Sequence, residues 1–158
     1  MSEEDMIKIL FICHGNICRS TMAECLFADL VKKARLEGAF TIDSAGTSDE
    51  EHGNPLHPGT RRKLKEHNIP ERGHRARRMT RADYQNFDYI IGMDHYNLSG
   101  IRAITGGDPE GKVHLLLDFT GRPRDIADPW YTGDFDATYE DVRQGCEGLL
   151  QALAPGRK

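Results

Sequence analysis

Residues 9–20 read Ile9-Leu10-Phe11-Ile12-Cys13-His14-Gly15-Asn16-Ile17-Cys18-Arg19-Ser20. An apolar run of strand length enters a short polar turn that opens with Cys13 and closes with Arg19-Ser20, and helical spacing of apolar residues follows at once. In α/β proteins a strand aimed at a helix N-terminus makes an anion site. Backbone N–H groups converge on one concavity, and the helix dipole adds positive potential there. A thiolate at its entrance is stabilised by those donors, which also suit the equatorial oxygens of a phosphoryl group. An arginine at the exit brings a planar fork that grips two oxygens together, which lysine does not. The stretch therefore reads as a phosphate cradle with Cys13 as nucleophile, Arg19 as clamp, and a wall formed by the backbone of His14, Gly15, Asn16, Ile17 and Cys18.

Working outward, Met6 to Ile12 predicts a buried parallel strand. From Ser20 to Glu37 the apolar positions Met22, Leu26, Phe27, Leu30, Val31 and Ala34 predict a helix stopped by Gly38, with Thr21 to Glu24 fitting a capping box. Ala39 to Ser44 reads as a second strand, Asp49 to Pro58 as loop, and Gly59 to His67 as a short, basic, peripheral helix anchored by Leu64. Glu71 to Arg81 carries five arginines and His74. No aromatic residues interleave, so a solvated surface segment is favoured over a nucleic-acid or phosphopeptide stripe.

Beyond it, Thr80 to Asp83 opens another short helix, and Asp88 to Met93 makes a third strand. Asp94 caps a helix over Tyr96 to Ala103, and Val113 to Leu117 makes a fourth strand. Asp118 to Asp134 is irregular for 17 residues, a length that favours a functional loop. A final amphipathic helix begins at Phe135 and stops at Pro155-Gly156. Strands alternating with helices imply a parallel sheet with helices on both faces, and place the turns after Ile12, Ser44, Met93 and Leu117 on one rim.

The totals agree with one domain over residues 1–158: 38% of the residues are hydrophobic and 29% charged. A net charge of −4 gives no general reason to bind nucleic acid or an anionic membrane. The apolar runs fall far short of the ~20 residues of a membrane span. The acidic start, Met1 to Asp5, lacks a signal region, so a cytoplasmic location is expected. Three of the four cysteines, Cys13, Cys18 and Cys25, crowd the first turn and helix, leaving Cys146 apart. That is unlike a secreted disulfide scaffold. With His14 they make a zinc set on paper, but the spacing lacks a CxxC or HxxxH knuckle.

Expelling a leaving group such as a phenolate calls for a general acid. The long loop offers Asp118, Asp125, Asp128 and Asp134. Asp128 stands out because Asp128-Pro129-Trp130-Tyr131 stiffens the backbone behind it and adds two rings that would wall a slot for an aryl phosphate. On these residues alone two other readings stay open: the rings anchor the loop to the core, and Asp128 simply opens a turn before proline.

The octet Cys13 to Ser20, together with Asp128-Pro129-Trp130-Tyr131, resembles the low-molecular-weight protein tyrosine phosphatases. Pieces between them follow the same family order: Asp43 to Ser48, Gly53-Asn54-Pro55, His74 to Arg77, and Phe87 to Ile90 with Met93-Asp94. The resemblance implies a single-domain α/β fold: a four-stranded parallel twisted sheet with helices on both faces and a phosphate-binding loop after the first strand. It implies no cofactor and no metal. It assigns Cys13 as nucleophile, Arg19 as clamp, and Asp128 as acid and then base. Asn16 would hold a left-handed turn, Ser20 would donate to the Cys13 sulfur, and Ser44 and His74 would complete a network behind the loop. Cys18 would be a resolving thiol for oxidised Cys13. The implied partners are a phosphotyrosine protein or peptide as substrate and phosphate as product and inhibitor, with no nucleic acid or membrane, the chain being a monomer or weak dimer.

Two positions depart from the family pattern. Thr21 stands where many members have proline. Glu50 stands where many have a pocket-wall aromatic, and a carboxylate there should weaken binding of simple aryl phosphates or favour basic partners. Three competing activities fit the residues less well. Arginine phosphatases on this fold carry Thr where this chain has Ile17. Arsenate reductases need mid-chain cysteines, which are missing between Cys25 and Cys146. A phospho-ligand binding module would not need both Cys13 and Asp128.

Overall fold

The computed structural model describes residues 6–154. Its sheet has four parallel strands, β1 (Ile7–Cys13), β2 (Phe40–Gly46), β3 (Tyr89–Gly92) and β4 (Val113–Leu115), in the spatial order β2-β1-β3-β4. The helices are α1 (Arg19–Lys33), α2 (Pro58–Glu66), α3 (Arg81–Asn86), α4 (His95–Thr105), α5 (Pro129–Thr132) and α6 (Phe135–Leu153). None is long and apolar enough to cross a membrane.

The central position of β1 follows from its residues. Ile9, Leu10, Phe11 and Ile12 are all 0% exposed. Side chains alternate across a strand, so Ile9 and Phe11 face Met22 and Phe27 of α1 and Val142 and Leu149 of α6. Leu10 and Ile12 face the opposite layer, with Met79, Tyr84 and Ile101. A strand with no polar face is stable only between two layers, and this one carries the cradle to the sheet's carboxyl edge.

Several local expectations are corrected. Helix α1 ends at Lys33, before Gly38. Arg35 takes the left-handed conformation (φ 60°), its N–H donates to the Lys32 carbonyl, and Leu36 N–H reaches back to Val31. That pairing is a Schellman stop with arginine in the glycine position. The Thr21–Glu24 capping box is not formed: Thr21 Oγ1 donates to the Cys18 carbonyl at 3.0 Å, and Glu24 is buried. The fourth strand stops at Leu115 and tightens into a 3₁₀ turn over Leu116–Phe119. Helix α2 is packed more firmly than a peripheral helix, with Gly59, Thr60 and Leu64 buried and a Cβ at Gly59 only 2.4 Å from the Phe135 ring. The expected stop at Pro155-Gly156 lies outside the described residues.

The arginine-rich segment is a surface segment, as expected, with Arg72, Arg75, Arg78 and Arg81 exposed, but it is also pinned down as a strap. It runs along the end of β2, where Arg77 carbonyl accepts from Gly46 N–H and Gly46 carbonyl accepts from Met79 N–H. Ala76 and Met79 are buried, and Arg77 pairs with Asp43 and Asp83 at 3.1 and 3.0 Å.

Gly46 sits where strand, strap and cradle meet. A Cβ there would lie 2.6 Å from the His14 carbonyl oxygen and 3.2 Å from Asn16 Cβ. Gly46→Ala is expected to lower stability by about 1–3 kcal/mol through overpacking. Gly38→Ala, whose methyl meets nothing within 4 Å, should stay within about 0.5 kcal/mol. Urea unfolding midpoints of the two variants decide it, and equal midpoints would refute the tight contact at Gly46.

Candidate active site

The turn from Cys13 to Cys18 closes over the start of α1 and forms the floor of a cleft. Its backbone is bent at Asn16, a non-glycine residue at φ 60°, a conformation asparagine tolerates better than most residues. The bend turns the Asn16 side chain inward, where it is 1% exposed. There its Nδ2 donates to Ser20 Oγ at 2.9 Å and to Ser44 Oγ at 3.0 Å, while its Oδ1 accepts from His74 Nε2 at 2.7 Å and from Arg77 N–H at 3.1 Å. Both Asn16 donors are thus used, and Ser20 Oγ has already accepted one proton. Its own hydroxyl proton is therefore free for Cys13 Sγ, 3.0 Å away.

Arg19 is 2% exposed. Its Nη1 donates to Asp94 Oδ2 at 2.6 Å and to the Ile126 carbonyl at 2.8 Å, and Asp128 Oδ2 lies 3.4 Å from Nη2. Burial opposes its charge, but Cys13, Asp94 and Asp128 outweigh burial and raise its pKa further. Among the described residues Nε has no partner. The Nε–Nη2 edge is the fork that fits two oxygens of one tetrahedral anion.

The cleft gathers the expected catalytic trio, Cys13, Arg19 and Asp128, and nearly all the expected binding residues, and it adds Glu51, which no sequence signal singled out. Asn16 is the exception: expected to bind substrate, its side chain instead joins Ser20, Ser44 and His74 in the network beneath. Each other aspartate of the long loop has separate work. Asp118 accepts from Leu115 N–H, Asp125 pairs with His95, and Asp134 caps α6. Asp128 also accepts from Trp130 N–H, so the turn-opening role and the place in the cleft coexist. The loop is anchored by buried Ile126 and Pro129 rather than by its rings, for Trp130 and Tyr131 are 58% and 84% exposed. Glu50 stands on the rim, 3.6 Å from His14 Nε2.

Three contributors were not legible from residue type. Asp94 both caps α4 and grips Arg19. Ile126 supplies only its carbonyl. Glu24 lies behind the cradle, accepting from Ser44 Oγ at 2.6 Å and from Arg72 at 3.1 Å, with His74 Nδ1 at 3.3 Å. Burial raises the Glu24 pKa against the opposing pull of Ser44, His74 and Arg72. The Cys13, Cys18, Cys25 and His14 set does not gather as metal ligands. Among the described residues the grouping with ligand-like proximity is Glu24, Asp43 and His74, whose oxygens already hold Arg72 and Arg77.

The other thiols are poor nucleophiles. Burial, reinforced by Cys13 and Asp128, pushes the Cys18 thiol far up. Burial likewise pushes Cys25 up to about 12 and Cys146 higher still. Brief treatment with iodoacetate should therefore modify Cys13 alone, and inorganic phosphate should protect it. Peptide mapping by mass spectrometry reads the outcome, and equal labelling of Cys18 or Cys25 would contradict this arrangement.

A family model described as low molecular weight phosphotyrosine protein phosphatase matches residues 8–158. The chain is 41% identical over 150 residues to the low molecular weight protein-tyrosine-phosphatase YfkJ of Bacillus subtilis, covering 94% of this chain and 96% of that one. The crystal structure of YfkJ superposes with a TM-score of 0.94 over 99% of this chain and all of that one, at 39% identity. A low molecular weight protein tyrosine phosphatase from Streptococcus pyogenes gives 0.86 at 38% identity, covering 96% and 95% of the two chains. A Drosophila arginine phosphatase gives 0.84 at 33% identity, covering 95% and 99%.

Proposed function

The chain belongs to the low molecular weight phosphotyrosine protein phosphatase family, and from that premise we propose a role for each residue of the cleft. The enzyme is a cysteine-dependent phosphoric monoester hydrolase that removes phosphate from phosphotyrosine. The Cys13 thiolate attacks phosphorus in line. The phosphorus–oxygen bond to the phenol breaks as Asp128 delivers its proton to the leaving oxygen, and a phosphocysteine forms. Asp128, now a carboxylate, takes a proton from water. The water oxygen attacks phosphorus, and Cys13 leaves as thiolate, stabilised by the Ser20 hydroxyl. Throughout, the equatorial oxygens rest on the backbone N–H groups of residues 14–19 and on the Arg19 fork. His14, Gly15, Ile17, Cys18, Glu50, Trp130 and Tyr131 border the substrate, while Ser44 and His74 hold Asn16 and so the cradle.

The observation that carries this reading is the buried Arg19 Nε, unpartnered among the described residues and placed beside Cys13 and Asp128. A desolvated guanidinium donor without an acceptor is costly, and an oxyanion in the cleft supplies what it lacks. The arginine phosphatase among the structural neighbours keeps a second substrate in view. Ile17 offers an apolar wall that suits an aryl ring better than a guanidinium. Phosphotyrosine should therefore be hydrolysed and phosphoarginine should not. Cys13→Ser should abolish turnover, and Asp128→Asn should lower it by about 10²–10⁴-fold, the usual contribution of a general acid. Steady-state phosphate release from both substrates checks this. Release from phosphoarginine alone would reassign the substrate.

Cys18 is proposed as the resolving thiol: burial keeps it protonated and slow toward free reagents, but it shares the cleft with Cys13, so its attack on an oxidised Cys13 is intramolecular. Hydrogen peroxide oxidises the Cys13 thiolate to sulfenic acid, and the Cys18 sulfur then displaces water to close a disulfide. A thiol reductant would reopen it. Wild type inactivated by peroxide should recover fully with dithiothreitol, whereas Cys18→Ser should not. Equal recovery of both rules the disulfide out.

Residues 1–158 are taken as one functional unit acting on phosphoproteins in the cytoplasm, as a monomer or weak dimer, with phosphate as product and competitive inhibitor.

A further inference from the structure

A second groove opens beside the cleft, and it shares His14, Arg19, Asp128 and Tyr131 with it. Its remaining wall brings in Asp94, Asp125 and Tyr96. Tyr96 is 87% exposed and Tyr131 84%, so both rings present faces to whatever enters. The charges are unbalanced: three aspartates line the groove against one guanidinium, Arg19. That guanidinium is already engaged by Asp94 and Asp128, which leaves Asp125 uncompensated from within. Two outer side chains flank Asp125, and Arg124 reaches only its backbone carbonyl, at 3.4 Å. His95 Nδ1 contacts Oδ1 at 2.6 Å, and Arg124 turns its guanidinium to Asp141. Among the described residues Asp125 Oδ2 has no partner.

A phosphotyrosine seated in the cradle fixes where its peptide crosses the rim, so a flanking residue must pass this groove. Its walls suit a cation: an exposed carboxylate oxygen for an ion pair and two tyrosine faces for cation–π contact. A phosphate in the adjoining cleft adds a further negative charge only when substrate is bound. Resting on the phosphotyrosine phosphatase reading above, we propose that this groove is a specificity subsite for an arginine or lysine flanking the phosphotyrosine. Tyr96 and Asp125 are its determining residues.

The test walks a single arginine across the positions on either side of phosphotyrosine in an otherwise neutral peptide, with an all-alanine peptide as reference. One position should raise kcat/KM about tenfold through KM, the combined size of an exposed ion pair and a cation–π contact. Asp125→Asn and Tyr96→Ala should each bring that ratio down towards one, while hydrolysis of a small aryl phosphate stays at the wild-type rate. Affinity of the Cys13→Ser variant for the same peptides reads the groove without turnover, so a failure of the catalytic reading is seen separately in the aryl phosphate. Absence of any arginine advantage, or an advantage that survives both substitutions, overturns the proposal. An advantage lost only in Glu50→Gln also overturns it, by assigning the preference to the opposite rim.

Discussion

A guanidinium at 2% exposure must be held by partners that offset the several kcal/mol lost on leaving water. For Arg19 those partners come from three distant places: its own cradle, Asp94 at the end of β3, and the loop that supplies the Ile126 carbonyl and Asp128. None of the three is near the others in sequence, with 75 residues separating Arg19 from Asp94. The parallel sheet resolves this by bringing every strand's carboxyl end to one edge. The charge therefore acts as a tie between strand ends as well as a clamp for phosphate. Because Asp94 and Ile126 take Nη1, the Nε–Nη2 edge is left for the cleft, with Asp128 3.4 Å from Nη2. Orientation is settled before any ligand arrives, which is what electrostatic preorganisation requires.

Behind this tie lies a second layer organised by Asn16. Its amide uses both donors and accepts twice, joining the cradle to β2 through Ser44 and to the strap through His74 and Arg77. A buried polar network rigidifies a structure only when its members are satisfied. This one also settles a proton: with Ser20 Oγ accepting from Asn16, its hydroxyl can point at sulfur. The left-handed bend at Asn16 and the chemistry at Cys13 are therefore one arrangement, and Glu24 closes it from beneath.

What was legible in the sequence was local. The octet Cys13 to Ser20 lies on one strand–turn–helix unit, so its residue types and their spacing already carry the cradle. Proline and two rings made Asp128 stand out among the loop aspartates, but only the resemblance chose the acid role over a simple turn before proline. Asp94 was legible only as a helix cap, since nothing nearby in sequence reports that a guanidinium from α1 will arrive. Glu24 was misread as a capping residue for the same reason. The arginine-rich strap was legible as surface, but its pinning was not, because its acidic partners Asp43, Asp83 and Glu24 lie on other elements. Helix α1 ends early because backbone hydrogen bonds to Val31 and Lys32, with Leu36 packed on the core, outweigh the preference for glycine at the stop.

The site also separates two electrostatic tasks by depth. At the floor, Arg19 and the amides act where water is excluded, so attraction to a phosphoryl group is strong and little screened. At the mouth, Glu50 and Asp125 stand in solvent, 75% and 42% exposed at the side chain, where ionic screening limits their reach to about 8–10 Å. Such acids take little from an anion once it is bound, but they oppose the approach of a bare dianion. A phosphate carried on a chain with cationic neighbours meets no such opposition. In the proposed reading the floor recognises the phosphoryl group, and the mouth discriminates among its carriers. One fold can keep the first constant and vary the second by changing exposed residues at the mouth.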